Sequence, residues 1–332
     1  MLTKICLLVA ILASVVTLAV THLKLDENIR QLNARAEAAD RLASQSKIGE
    51  SRLAEELFKT KGRALDAEDR LAKTVLVDAE QRGMLKPDSI ILECTSGNTG
   101  IALSMLGAAM GYRVQILMSQ GASVERRHLI RQLGAELILF ESGGRYQTGI
   151  TMSREMAAND SRYFLPRQFE NELNVVDHEH HTGQEIIRQL GHPVDAFVTG
   201  YGTGGTLAGV GKAIKAKYPQ SQVYAMEPAE AALLLGEMPC CHQIEGIADG
   251  FLPQLLQGAP LDGSVKVTSH EAMTMTKRLH REFGLLVGTS SGANVAAALQ
   301  LARDLGPEKH VVTLLCDRAE RYFSTSLFEQ SQ

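Results

Sequence analysis

From about residue 69 onward, short apolar runs alternate with amphipathic stretches of helical length. Strand-like runs lie at 89–92, 113–118, 136–140, 196–199, 223–226 and 311–315. Helical periodicity covers 70–82, 100–110, 123–133, 182–190, 205–217, 270–283 and 293–305. Repeated β-α alternation requires crossover connections, so the pattern predicts an α/β fold with a doubly wound, mostly parallel sheet covered on both faces. In open sheets of this kind ligands gather at the carboxyl ends of strands, and the turns after strands are where chemistry is expected.

The amino-terminal part reads differently. Ile5 to Val20 is an uncharged apolar run after Lys4, with a length between a signal-peptide core and a full membrane span. No A-x-A box follows it, so the expectation is an uncleaved membrane anchor through 5–20, with a removed signal segment as the alternative. Lys24, Arg30, Arg35 and Arg41 follow the run and only Lys4 precedes it, which places the body on the cytoplasmic side. Leu25, Ile29, Leu32, Ala36, Ala39 and Ala43 recur at steps of four and three, the mark of a short helical stalk that is either solvated or dimerising. The expected organisation is an anchor or signal segment at 1–23, a helical stalk or linker at 24–63 and an α/β body at 64–332.

Composition narrows the function classes. A chain of 332 residues with 45% hydrophobic residues can bury a large core. Its net charge of -4 offers no basic stripe for a duplex, so nucleic acid is excluded as a partner. The five cysteines, at 6, 94, 240, 241 and 316, have neither a C-x-x-C spacing nor the density of a disulfide framework, and no metal site is expected.

Two turns carry candidate chemistry. Gly200-Tyr201-Gly202-Thr203-Gly204-Gly205-Thr206 follows a strand and opens a helix. Its glycines let backbone N–H groups converge on an anion, the helix terminus adds partial positive charge, and Thr203 and Thr206 supply hydroxyls, so a phosphate fits. No Gly-Lys-Ser/Thr follows, and the glycine spacing is not that of a dinucleotide fingerprint. Thr95-Ser96-Gly97-Asn98-Thr99-Gly100 also leads from strand to helix. Four hydroxyl or amide side chains there suit a carboxylate, whereas a plain N-cap needs only one. Gly288-Thr289-Ser290-Ser291-Gly292 reads alone as a capping turn.

Together with Ser123-Val124-Glu125-Arg126-Arg127, Gln168-Phe169-Glu170-Asn171, Ile244-Glu245-Gly246-Ile247 and Glu320-Arg321-Tyr322, these motifs resemble, in order, the cysteine synthase family. The resemblance implies a tryptophan synthase β-like fold, the second fold type of pyridoxal-phosphate enzymes, and formation of cysteine from O-acetylserine and sulfide. By position it gives the cofactor phosphate to Gly202, Thr203, Gly204, Gly205 and Thr206, the pyridine nitrogen to Ser290 and the ring hydroxyl to Asn98. The carboxylate of an amino-acid substrate would fall to Thr95, Ser96, Thr99 and Gln168. The family also implies a homodimer and a pocket that receives the carboxyl-terminal tail of serine acetyltransferase.

One position departs from the family. A Ser-x-Lys-Asp-Arg pattern there supplies the lysine that holds the cofactor covalently and later shuttles a proton; aligned without gaps through Asp69-Arg70, that lysine's place is taken by Glu68. A carboxylate cannot make the covalent link, so pyridoxal phosphate would be held noncovalently and the activity impaired. The alternatives are an active synthase using another lysine, with Lys61 better placed than Lys59 or Lys73, and a noncatalytic partner of serine acetyltransferase. Ala248 and Ala319 also stand where the family usually has glycine.

Overall fold

The computed structural model describes residues 68–95, 97–143 and 146–328. Helix α1 (68–81) packs Ala72, Leu76 and Ala79, spaced as one face of a helix, against a core that includes Ile91, Leu103 and Ile116, and also buries Val75. The first sheet is built from β1 (Ile90–Cys94), α2 (Asn98–Met110), β2 (Arg113–Ser119), α3 (Val124–Gln132), β3 (Glu136–Phe140), α4 (Gln147–Asn159) and β4 (Tyr163–Phe164). Its strand order is β3-β2-β1-β4, with every pairing parallel.

The second sheet follows α5 (Leu173–Asp177), a π-helical turn (His178–Gly183) and α6 (Gln184–Leu190). It comprises β5 (Ala196–Gly200), α7 (Gly205–Lys217), β6 (Gln222–Pro228), β7 (Gly263–Val267), α8 (Ser269–Phe283), α9 (Thr289–Leu305) and β8 (Val311–Val312). Its order is β7-β6-β5-β8, again all parallel. The expected single sheet is therefore two four-stranded ones.

In each sheet the chain steps outward over three strands and then returns to the other side of the first. The strand order thus reverses beside β1 and beside β5, and these reversals open the crevices in which α/β sheets hold ligands. β1 is buried along its whole length and β5 along all but its last residue, as central parallel strands covered on both faces must be. The two motif turns leave the carboxyl ends of these two strands.

Helix α4 and strands β4 and β7 were not expected. β4 has only two residues, and α4 carries Thr, Gly and Ser through its first two turns, which masks its periodicity.

The expected membrane-anchored chain is corrected here. Among the described residues no helix is long and apolar enough to cross a membrane; α9, with 17 residues, falls short of the ~20 apolar residues a span needs and carries Arg303 and Asp304. The run at 5–20 and the stalk at 24–63 lie outside the described residues.

Candidate active site

The glycine loop after β5 is shaped by close approaches. A Cβ on Gly202 would stand 2.8 Å from the Gly246 carbonyl oxygen, and Gly204 has φ +87°, a left-handed conformation that turns the chain into α7. Thr203 Oγ1 accepts from Asn174 Nδ2 at 2.9 Å, and Asn174 Nδ2 also donates to the Gln168 carbonyl at 3.1 Å. Asn174 is 3% exposed, so one buried amide ties the phosphate loop to the segment carrying Gln168.

Thr206 belongs to a longer chain. Its hydroxyl lies 3.1 Å from His178 Nε2, and His178 Nδ1 lies 3.0 Å from the Thr182 hydroxyl, which accepts from Arg70 Nη2 at 3.1 Å. Arg70 also pairs with the buried Asp177 carboxylate at 3.0 Å. Burial, helped by Arg70 and opposed by Asp177, holds His178 down at about 4, so the ring is neutral near pH 7. With its proton on Nε2, His178 donates to Thr206 and leaves the Thr206 hydroxyl proton free for an anion in the loop. Neither Asn174 nor His178 was anticipated, and Arg70 was read only as part of the Asp69-Arg70 step of the family pattern.

The second loop starts from Thr95, which is buried and accepts from the Gly97 N–H at 3.2 Å. Ser96 lies outside the described residues, and Thr99 is half-buried. Gln168 Nε2 donates to the Cys94 carbonyl at 2.6 Å, while its backbone N–H donates to Glu93 at 3.1 Å. Glu93, which sequence reasoning passed over as a strand residue, lies beneath the loop with 5% exposure. Burial pushes its carboxyl up to about 7 against the pull of backbone N–H donors.

Glu68, at the start of the described part of α1, meets the same loop. Asn98 hydrogen-bonds to the Glu68 carboxyl, accepts from Arg321 and donates to Asp317 at 3.1 Å. Arg321 reaches Glu68 at 3.8 Å, and Tyr322 donates to Asp317. Burial raises Glu68 to about 8, with Arg321 and Asn98 opposing and Asp317 and Asp69 adding to the rise. The buried Ser290 hydroxyl bonds to Cys316, whose thiol is pushed up to about 12 by burial, with Asp317 and Glu68 contributing. Glu68, Asn98, Asp317, Cys316 and Ser290 are thus one neighbourhood. A groove of about 840 Å³ along α3 touches it only through Arg321.

A family model described as pyridoxal-phosphate dependent enzyme matches residues 67–317. The chain belongs to that family. It is 42% identical over 261 residues to a cysteine synthase of Staphylococcus aureus, covering 78% of this chain and 84% of that protein. The cysteine synthase of Entamoeba histolytica superposes with a TM-score of 0.73 at 36% identity, covering 80% of this chain and 79% of that one. A lysine-to-alanine variant of O-ureido-L-serine synthase, solved with O-ureido-L-serine bound, gives 0.75 at 42% identity, with 80% and 83% covered. Pyridoxal phosphate is the cofactor of this family. The matches lie with cysteine synthases and lend nothing to a membrane-anchored localisation, which is withdrawn.

The residues fit this cofactor unevenly. Its phosphate end finds a glycine cradle at a helix start, with hydroxyls and backbone N–H groups. At the other end of the site, beside Asn98, Asp317 and Cys316, stands the Glu68 carboxyl group.

Proposed function

We propose that this chain is a cysteine-synthase-like protein that holds pyridoxal phosphate without a covalent bond and whose sulfur-transferring β-replacement is impaired. The observation that carries the reading is Glu68, hydrogen-bonded to Asn98 and facing Arg321 beside an intact glycine loop. Gly202, Thr203, Gly204, Gly205 and Thr206 would hold the phosphate, Asn98 the ring hydroxyl and Ser290 the ring nitrogen. Thr95, Ser96, Thr99 and Gln168 would orient an amino-acid carboxylate at the start of α2. When bound, the cofactor supplies an electron sink for charge developing on a substrate carbon. A carboxyl at position 68 has no amine with which to attach it or to return a proton from nitrogen. Lys73 is exposed on α1, and Lys59 and Lys61 lie outside the described residues.

The same carboxylate site suits the tail of a serine acetyltransferase, which would need the Thr95–Thr99 turn but no lysine, and a homodimer is the expected assembly. The test is an absorbance spectrum of the full chain with added pyridoxal phosphate, before and after borohydride, followed by peptide mapping. Binding that phosphate competes away, with no reduced adduct, is expected. An adduct on Lys61 or another lysine would overturn the reading in favour of a working synthase.

A further inference from the structure

We infer that the site selects the amine form of its cofactor class, a pyridine phosphate bearing a primary ammonium, with pyridoxamine 5′-phosphate as the fitting ligand and Glu68 as the ammonium's partner. The inference rests on the phosphate-cradle reading above and adds which end group the cradle's ligand carries.

Three observations support it. The first is position: Glu68 contacts Asn98 and neighbours Cys316, which bonds to Ser290, so the carboxyl stands among the groups assigned to the ring hydroxyl and ring nitrogen. Two residues further along α1, Arg70 is joined through Thr182 and His178 to Thr206 of the phosphate loop. Both ends of the ligand therefore register against one helix.

The second is charge. Arg126 pairs with Glu245 at 2.6 Å and acts on Asp317 only as the weaker of two cations, so Arg321 is the main guanidinium that both Glu68 and Asp317 face. Two neighbouring carboxyls that depend mainly on one guanidinium leave room for one more cation. Both are held above the ordinary carboxylate range by burial, the condition that an added ammonium relieves.

The third is an unmet acceptor. Asp317 is 4% exposed, its Oδ2 accepts from Asn98 and Tyr322, and its Oδ1 has no hydrogen-bond partner. A buried carboxylate oxygen without a donor is costly unless a ligand supplies one. A lysine at position 68 would bring its own ammonium to this corner; with Glu68 the positive charge has to arrive on the ligand.

Calorimetric titration of the full chain with pyridoxamine 5′-phosphate and with pyridoxine 5′-phosphate, its uncharged alcohol counterpart, tests this. The amine is expected to bind about tenfold more tightly, a difference of about 1.4 kcal/mol. In Glu68→Gln the two should bind within about twofold of each other. Because Arg321, Asp317, Asp69 and Cys316 face Glu68 and burial keeps it protonated near pH 7, amine binding should release up to about one proton, read from the buffer dependence of the enthalpy. Equal binding of amine and alcohol by the unaltered chain, or a preference that survives in Glu68→Gln, overturns the proposal while leaving the cradle standing. If neither pyridine phosphate nor inorganic phosphate binds, the cradle reading fails and takes the proposal with it.

Discussion

Gly205 is the residue at which one added methyl group would disturb both halves of the site. Its φ is not left-handed, so alanine can adopt the backbone and would add up to about 1 kcal/mol of helix preference. The obstacle is Asn174: a Cβ at position 205 would lie 2.0 Å from its Oδ1 and 2.2 Å from its Cγ, and Asn174 is buried. Its side chain must swing away, losing the bonds to Thr203 and to the Gln168 carbonyl. Overpacking of about 1–3 kcal/mol and two hydrogen bonds at roughly 1 kcal/mol each, less the helix gain, give a loss of about 3 kcal/mol for Gly205→Ala. For a body of this size that is about 6–12 °C in Tm. The decisive assay is a double-mutant cycle by chemical denaturation. Asn174→Ala removes the obstacle and should itself cost about 2 kcal/mol; the double variant should be no less stable than Asn174→Ala alone, a coupling of about 3 kcal/mol. Additive losses would refute the reasoning, because the clash would then lie elsewhere.

Further outcomes follow from individual groups. Burial raises Glu93 from 4.5 to about 7, so the folded state keeps a proton that the unfolded chain gives up; this stability is present below about pH 4.5 and lost as the pH rises through 7. Denaturation midpoints between pH 5 and 8 should flatten in Glu93→Gln, by up to about 1.4 kcal/mol per pH unit. Arg70→Met leaves Asp177, fully buried, without its guanidinium and with only His181 at 3.2 Å and the Thr74 hydroxyl beside it, and should cost about 3 kcal/mol in the same assay. Ala248 sits at φ +50°, so Ala248→Gly should raise stability by about 1 kcal/mol, and a loss would show that its methyl packing outweighs the strain.

Much of the fold was legible because its strongest signals are local. Strand 136–140 and helix 205–217 have the expected bounds, since β-branched or aliphatic runs and a glycine-rich helix start mark them without help from the rest of the chain. The start of α9 was placed late, at 293: Thr289, Ser290 and Ser291 look like a polar turn in sequence, yet all three are buried inside the first turn of the helix. The division into two sheets was not legible, because periodicity says which segments are strands and nothing about which ones pair. At the site, the loops were visible as clusters of glycine and hydroxyl residues. What braces them was not: Asn174 and His178 act at 29 and 28 residues' distance, and Arg321 reaches Asn98 across 223.

Glycine loop and position 68 carry different structural loads, and that difference decides what each can say about function. Asn174 clamps Thr203, and the Arg70 chain ends on a buried carboxylate, so folding alone would preserve much of the cradle. Glu68 is another matter. Its side chain is 28% exposed, and because burial raises its carboxyl to about 8 it is largely protonated near pH 7, so its 3.8 Å contact with Arg321 contributes little. The fold places little demand on that residue. Glu68→Ala should accordingly not lower the unfolding free energy, and near pH 7 should raise it because the fold holds that carboxyl at about 8, while affinity for a pyridine phosphate amine falls. Should it instead destabilise the chain by 3 kcal/mol or more, Glu68 would be a structural residue, and its presence beside the cradle would carry no information about what the cradle holds.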